Sequence, residues 1–166
     1  TFIVNGTVAF DAGALGFWGD LLGQQRVGHV FLSHSHADHV CSLPIFVTNT
    51  LDERVRNIVV HGHAPVVDSL SRDVFNGRLW PDFLRPASGT APLLDLDETS
   101  EGRACEVDGL RITPIPVDHP VPTMAHLVDD GESAVVISTD SAPTHELWRV
   151  AARGFNATPE LFEIVI

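Results

Sequence analysis

Apolar residues occur along this chain in short runs, each bounded by turn-forming residues. Residues 2–4 and 7–10 flank Asn5-Gly6, a pair that accepts the positive φ angles of a tight turn, and so predict a β-hairpin. Trp18, Leu21, Leu22 and Gln25 fall at helical spacing and predict a short helix, weakened by Gly16, Gly19 and Gly23. Residues 29–33 and 58–60 read as short strands. After Pro65, at a first helical position, Val66, Val67, Leu70 and Val74 mark one helix face.

Residues 77–92 contain Gly77, Pro81, Pro86, Gly89 and Pro92, and an acidic stretch follows at 95–101. This part predicts a surface excursion rather than a domain boundary. Strands are then expected at 104–107, at 110–115 beyond the Asp108-Gly109 turn, and at 125–128. Asp130-Gly131 turns the chain into a strand over 133–138. A helix is expected from about Pro143 to Gly154, with Arg149 and Arg153 suitably placed against its dipole. Residues 161–166 predict a last strand.

A chain of 166 residues suits one domain, here taken as 1–166. No run approaches the ~18 apolar residues of a membrane span. The first ten residues lack a basic start followed by a long apolar stretch, so a cytoplasmic protein is expected, although a processed leader would leave no trace. The formal charge of −12 disfavours general binding to a phosphate backbone. All ten basic residues are Arg, which excludes a phosphate-loop lysine or a lysine Schiff base in this chain. Cys41 and Cys105 form no CxxC pair and are expected as buried small apolar residues.

The chemistry is concentrated in His34-Ser35-His36-Ala37-Asp38-His39. Three imidazoles and a carboxylate within six residues are hard to explain as packing, and imidazole suits zinc and related transition metals. In an extended segment His34 and His36 project to one side and can chelate one ion. Asp38 and His39, at the turn into a helix, can face a neighbouring ion. His119 and Asp140 each follow a predicted strand, as the cluster does, so the three segments can converge on a rigid rim as metal ligands. His61, His63, His126 and His145 are expected as surface or core histidines, with His61 and His63 the best placed to approach the pocket.

HSHADH followed by a helix, with a histidine and an aspartate after later strands, resembles the metallo-β-lactamase superfamily pattern His-x-His-x-Asp-His. Residues 36–40, 74–83 and 138–144 are most similar to class II cyclic-nucleotide phosphodiesterases, although Ala37 and Ser42 stand where that group usually has Leu and Gly. The resemblance implies a four-layer αββα sandwich, two mixed β-sheets flanked by helices. It implies that His34, His36 and His119 hold a first metal, that Asp38 and His39 belong to a second, and that Asp140 bridges them. Asp11 looks like the family's supporting aspartate behind the ligands. The family's first strand and its C-terminal segment with a further histidine ligand have no counterpart here, so either they are expected beyond this sequence or the second metal site is incomplete.

A metal-dependent hydrolase of 3′,5′-cyclic nucleotides or related phosphodiesters follows as the expectation. One or two divalent ions, zinc first and manganese or iron next, would generate hydroxide near neutral pH. Asp38 or Asp140 would orient the nucleophile, and Phe75, Trp80 and Phe83 are candidates for a stacking wall. A lactonase or thioesterase on the same scaffold, or a non-catalytic metal-binding module, are the alternatives. The expected partner is a small-molecule phosphodiester or ester, not nucleic acid in general and not a membrane.

Overall fold

The computed structural model describes residues 1–51, 57–85, 92–154 and 163–165. Two compact units divide the chain, Thr1–Glu98 and Thr99–Ile166.

In the first unit the hairpin forms as expected. Strands β1 (Phe2–Val4) and β2 (Val8–Phe10) pair antiparallel, and Asn5 and Gly6 take positive φ of 52° and 71° at the turn. Strands β3 (His29–Phe31), β4 (Ile58–Gly62) and β5 (Leu94–Glu98) follow in parallel, giving the order β1-β2-β3-β4-β5. Val8, Ala9 and Phe10 are all buried, the continuous apolar run of a strand covered on both faces.

One core joins Ala9, Val30, Val60 and Leu94 of the strands to Phe46, Val66 and Leu70 of the helices. The first helix, α1 (Leu21–Arg26), begins at Asp20, whose carboxylate accepts from the Gly23 amide. Its buried face differs from the expected one. Leu21 and Leu22 are exposed, Leu22 by 70%, whereas Gln24 is only 3% exposed. Gln24 can be buried because its amide donates to the carbonyls of Trp18 and Gly16 and accepts from Asn49.

Helices α2 (Ala37–Val40) and α3 (Leu43–Asn49) follow the histidine cluster. Helix α4 (Ala64–Ser69) carries Pro65 in its first turn, as expected, and widens into a π-turn over Leu70–Val74. There the Phe75 amide reaches back to the Leu70 carbonyl, and Phe75 enters the core.

The acidic stretch contains a strand that the excursion reading missed. In β5, Leu94 and Leu96 face the core while Asp95 accepts from Asn57 and Asp97 from His61, so a period of two is present beneath the charge. The boundary between the two units falls within this same stretch, at Glu98–Thr99. Pro86 and Gly89 of the expected irregular segment lie outside the described residues.

The second unit has the order β10-β9-β8-β7-β6, formed by β6 (Cys105–Val107), β7 (Leu110–Val117), β8 (Thr123–Asp129), β9 (Ala134–Ile137) and β10 (Glu163–Val165). Strands β6 to β9 are antiparallel neighbours, and β10 pairs parallel to β9. Residues 161, 162 and 166 of the expected last strand lie outside the described residues. Pro114 and Pro116 are tolerated within β7 because they lie beyond the part that pairs with β6, where no amide donor is needed. Helix α5 (His145–Gly154) packs Leu147 and Ala151 against Ile115, Ala125, Leu127 and Val136.

Neither cysteine is buried as expected. Cys41 is exposed and Cys105 half-buried, since each lies on an element whose other face meets the core. Among the described residues no helix is long and apolar enough to cross a membrane.

Candidate metal centre

In the first unit the cluster grows from the end of β3. The turn after β2 is clamped to it, with the Asp11 amide bonding the Phe31 carbonyl at 2.8 Å and the Ala12 amide bonding the His39 carbonyl at 2.7 Å. Asp11 takes φ of +57°, a rare conformation for a residue other than glycine. Gly13 passes so close to the cluster that a Cβ there would lie 1.7 Å from the Asp38 carbonyl oxygen. Only glycine fits that approach.

Asp11 is the hub. Its carboxylate accepts from the Ser33 amide at 2.9 Å and from the His39 Nδ1 at 2.8 Å, with the Ser33 hydroxyl at 2.9 and 3.0 Å from its two oxygens. Burial raises the Asp11 pKa, but the bonds from His39 and Ser33 outweigh it and hold the carboxyl below its ordinary value. The Ser33 hydroxyl also lies 3.0 Å from His34 Nδ1. Its one proton serves Asp11, so His34 Nδ1–H is the donor in that contact, a tautomer assigned from the network.

This chain of bonds fixes which nitrogens remain for a metal. With Nδ1 protonated on both His34 and His39, Nε2 of each carries the lone pair. His34 is buried, and its Nε2 lies 3.0 Å from His36 Nδ1. The His34 and His39 rings are 4.1 Å apart, and the Asp38 carboxylate, 76% exposed, lies 3.5 Å from His39 Nε2. The His34 and His39 imidazoles, held from behind by a hydroxyl and a carboxylate, suit a divalent transition metal. The histidine cluster could thus hold such an ion.

In the second unit, His119 lies two residues beyond β7 and Asp140 three beyond β9. Their loops are bonded to one another. The Asp118 amide donates to Thr144 Oγ1 at 3.2 Å, and the Ala142 amide donates to the Asp118 carbonyl at 2.8 Å. Thr139, immediately before Asp140, takes φ of +56°.

The other expected residues are placed as follows. Phe75 is 1% exposed in the core of the first unit, with its ring 6.0 Å from Phe83, and leaves no face for a substrate. The π-turn over Leu70–Val74 turns Phe75 into the core, which is the physical reason for that correction. Trp80 and Phe83 pack against the same core and stay partly exposed, with Trp80 Nε1 bonded to Thr48. His61, His63 and His126 are buried and His145 is exposed. His61 stacks on Phe31 at 4.1 Å and bonds Asp97 and His29, so it serves a row across the sheet. Ser33, Gly13 and Thr144 were not singled out from the sequence. For Ser33 the available signal was its place between a β-strand and a histidine ligand.

The metallo-β-lactamase fold protein YhfI from Bacillus subtilis superposes with a TM-score of 0.66 at 18% identity, covering 87% of this chain and 56% of that one. Two sheets with helices and a histidine cluster beyond a strand end thus define a protein of the metallo-β-lactamase fold. Within it, residues 21–121, more than half of the chain, match the model of the class-II cAMP phosphodiesterases, and the chain belongs to that family. A 3′,5′-cyclic-nucleotide phosphodiesterase of Candida albicans is 33% identical over 52 residues, covering 31% of this chain and 12% of its own length. Ribonuclease Z of Mycobacterium sp. (strain KMS) is 29% identical over 136 residues, covering 74% of this chain and 46% of its own. The chain spans less than half the length of these curated relatives.

Proposed function

We propose that this chain is the metal-binding part of a phosphodiesterase acting on 3′,5′-cyclic nucleotides or related small phosphodiesters. The observation that carries the reading is the tautomer chain from Asp11 through Ser33 to His34 and His39, which puts the proton of both imidazoles on Nδ1 and the lone pair on Nε2. In this reading His34, His36 and His39 supply the imidazoles, and His119 and Asp140 are the further ligands expected from the family pattern. A mixed imidazole and carboxylate set favours zinc, with manganese or iron as the other candidates. When bound, such ions supply Lewis acidity and acidify a water.

The residues do the remainder. Asp11 and Ser33 hold the rings in register, Asp38 is accessible to take up a proton from the attacking water, and Asp140 orients it. The family and both relatives' names point to phosphodiester cleavage, which favours phosphorus over a lactone carbonyl as the electrophile. The charge of −12 favours a small substrate over an RNA chain.

The test is metal analysis of the purified protein, then a panel of cyclic nucleotides, bis-aryl phosphates and lactones. Zinc content that falls in His36→Ala, together with cyclic-nucleotide cleavage, is the expected result. Rapid lactone cleavage with no phosphodiester cleaved would replace this reading with the ester-hydrolase alternative, and a metal-loaded protein inert on the whole panel would leave only a metal-binding module.

A further inference from the structure

The loop that carries Asp140 also walls a cavity of about 210 Å³, lined by Ser138, Thr139, Ser141, Thr144, Leu147 and Trp148 among others. All of it belongs to the second unit. Its occupant can be argued from four features.

The first is position. Residues 138, 139 and 141, which line the cavity, are the sequence neighbours of Asp140, so an occupant lies against the loop that carries this carboxylate. The second is charge. The lining holds no ionised side chain, so a neutral group fits it and a phosphate does not. The third is size. At about 210 Å³ the cavity is below the roughly 300 Å³ minimum for a whole drug-sized ligand, and it suits one ring system.

The fourth is the indole itself. Leu147 and Ala151 anchor α5 to the core of this unit, while Trp148 remains 45% exposed at the cavity wall. A fixed, half-exposed indole offers its face to a flat ring. Opposite chemistry comes from the loop hydroxyls. Ser141 Oγ–H and Thr144 Oγ1–H both donate to the Ala142 carbonyl, at 2.6 and 2.9 Å. The two hydroxyls also lie 3.1 Å apart, and with two lone pairs Ser141 Oγ keeps acceptor capacity whichever of them donates.

We infer that this cavity is the base subsite, in which a nucleobase bearing an exocyclic amine stacks on Trp148 and donates that amine proton to Ser141 Oγ. The inference rests on the phosphodiesterase reading for its substrate class.

The chain has three tryptophans, so the indole N–H region of a ¹H–¹⁵N spectrum resolves the subsite directly, with Trp148→Phe assigning the resonance. Adenosine should move the Trp148 signal and leave Trp18 and Trp80 in place. Inosine should move it less, and ribose 5-phosphate not at all. In the active protein, Trp148→Ala should raise KM for 3′,5′-cyclic AMP by about tenfold, more than it lowers kcat, with Trp148→Phe recovering most of the loss. A Trp148 signal that ignores adenosine, or follows ribose 5-phosphate equally, overturns the inference. If adenosine moves Trp148 but no phosphodiester is cleaved, the subsite stands and the hydrolase reading falls. Cleavage of cyclic AMP with an unmoved Trp148 means the reverse.

Discussion

Replacing Ser33 with Ala tests the link between the buried network and metal binding. The Ser33 hydroxyl lies within 3.0 Å of both Asp11 oxygens and of His34 Nδ1. Its loss leaves Asp11 the Ser33 amide and the His39 ring, and takes from His34 the acceptor that sets its tautomer. Removing one partner of a buried hydrogen bond costs about 1–3 kcal/mol of stability. Loss of a partner behind a metal ligand typically costs about 10–100-fold in metal affinity. Urea denaturation of the metal-free protein reads the first quantity, and competition titration with a chromophoric zinc chelator reads the second. Ser33→Thr keeps the hydroxyl and should recover most of the zinc affinity. A Ser33→Ala protein that binds zinc within twofold of wild type, at unchanged stability, would refute the claim that this hydroxyl orients His34.

Gly13→Ala should destabilise the fold by about 1–3 kcal/mol and weaken zinc binding, because the new Cβ meets the Asp38 carbonyl at 1.7 Å; urea denaturation and zinc titration both read it. Burial lowers the His61 pKa from 6.5, only partly offset by Asp97, so the folded state binds this proton less readily than the unfolded one. Stability present above pH 6.5 is then lost as pH falls through the folded pKa, and His61→Asn should flatten that part of the stability profile measured by urea denaturation against pH. Thr144→Val removes the acceptor of the Asp118 amide, so hydrogen exchange at Asp118 should accelerate while global stability changes by no more than about 1 kcal/mol.

The candidate ligands could be picked out in the sequence because clustered imidazole has few structural uses, and because strand ends could be read from alternation. Every expected strand has a counterpart among the described residues, and His34, His119 and Asp140 each follow one. What holds these residues was not legible. Ser33 is one serine among several until the fold sets Asp11 beside it. Thr144 matters because its hydroxyl meets an amide 26 positions away. Trp148 is a single aromatic on an amphipathic helix, and only the cavity beside it sets it apart from Trp18, another half-exposed tryptophan. Pairings across long sequence separations leave no periodic trace.

The misreadings share one cause: hydrophobic spacing marks a buried face only when the polar residues on the other face lack internal partners. In α1, Gln24 has three such partners and goes inside, which turns Leu21 and Leu22 outward despite their spacing. In β5 the same rule acts with the sign reversed. Asp95 and Asp97 are satisfied by Asn57 and His61, so an acidic segment can pair as a strand while Leu94 and Leu96 fill the core. Asp11 is the extreme case of such burial, a charged residue at a positive φ that only the family resemblance singled out as a support behind the histidines. It is nevertheless buried, because Ser33 and His39 together supply the donors that its charge requires. A buried carboxylate with all its donors aligned therefore fixes the histidines more firmly than their own apolar neighbours do, and the rigidity of the proposed centre originates at Asp11, outside the histidine motif.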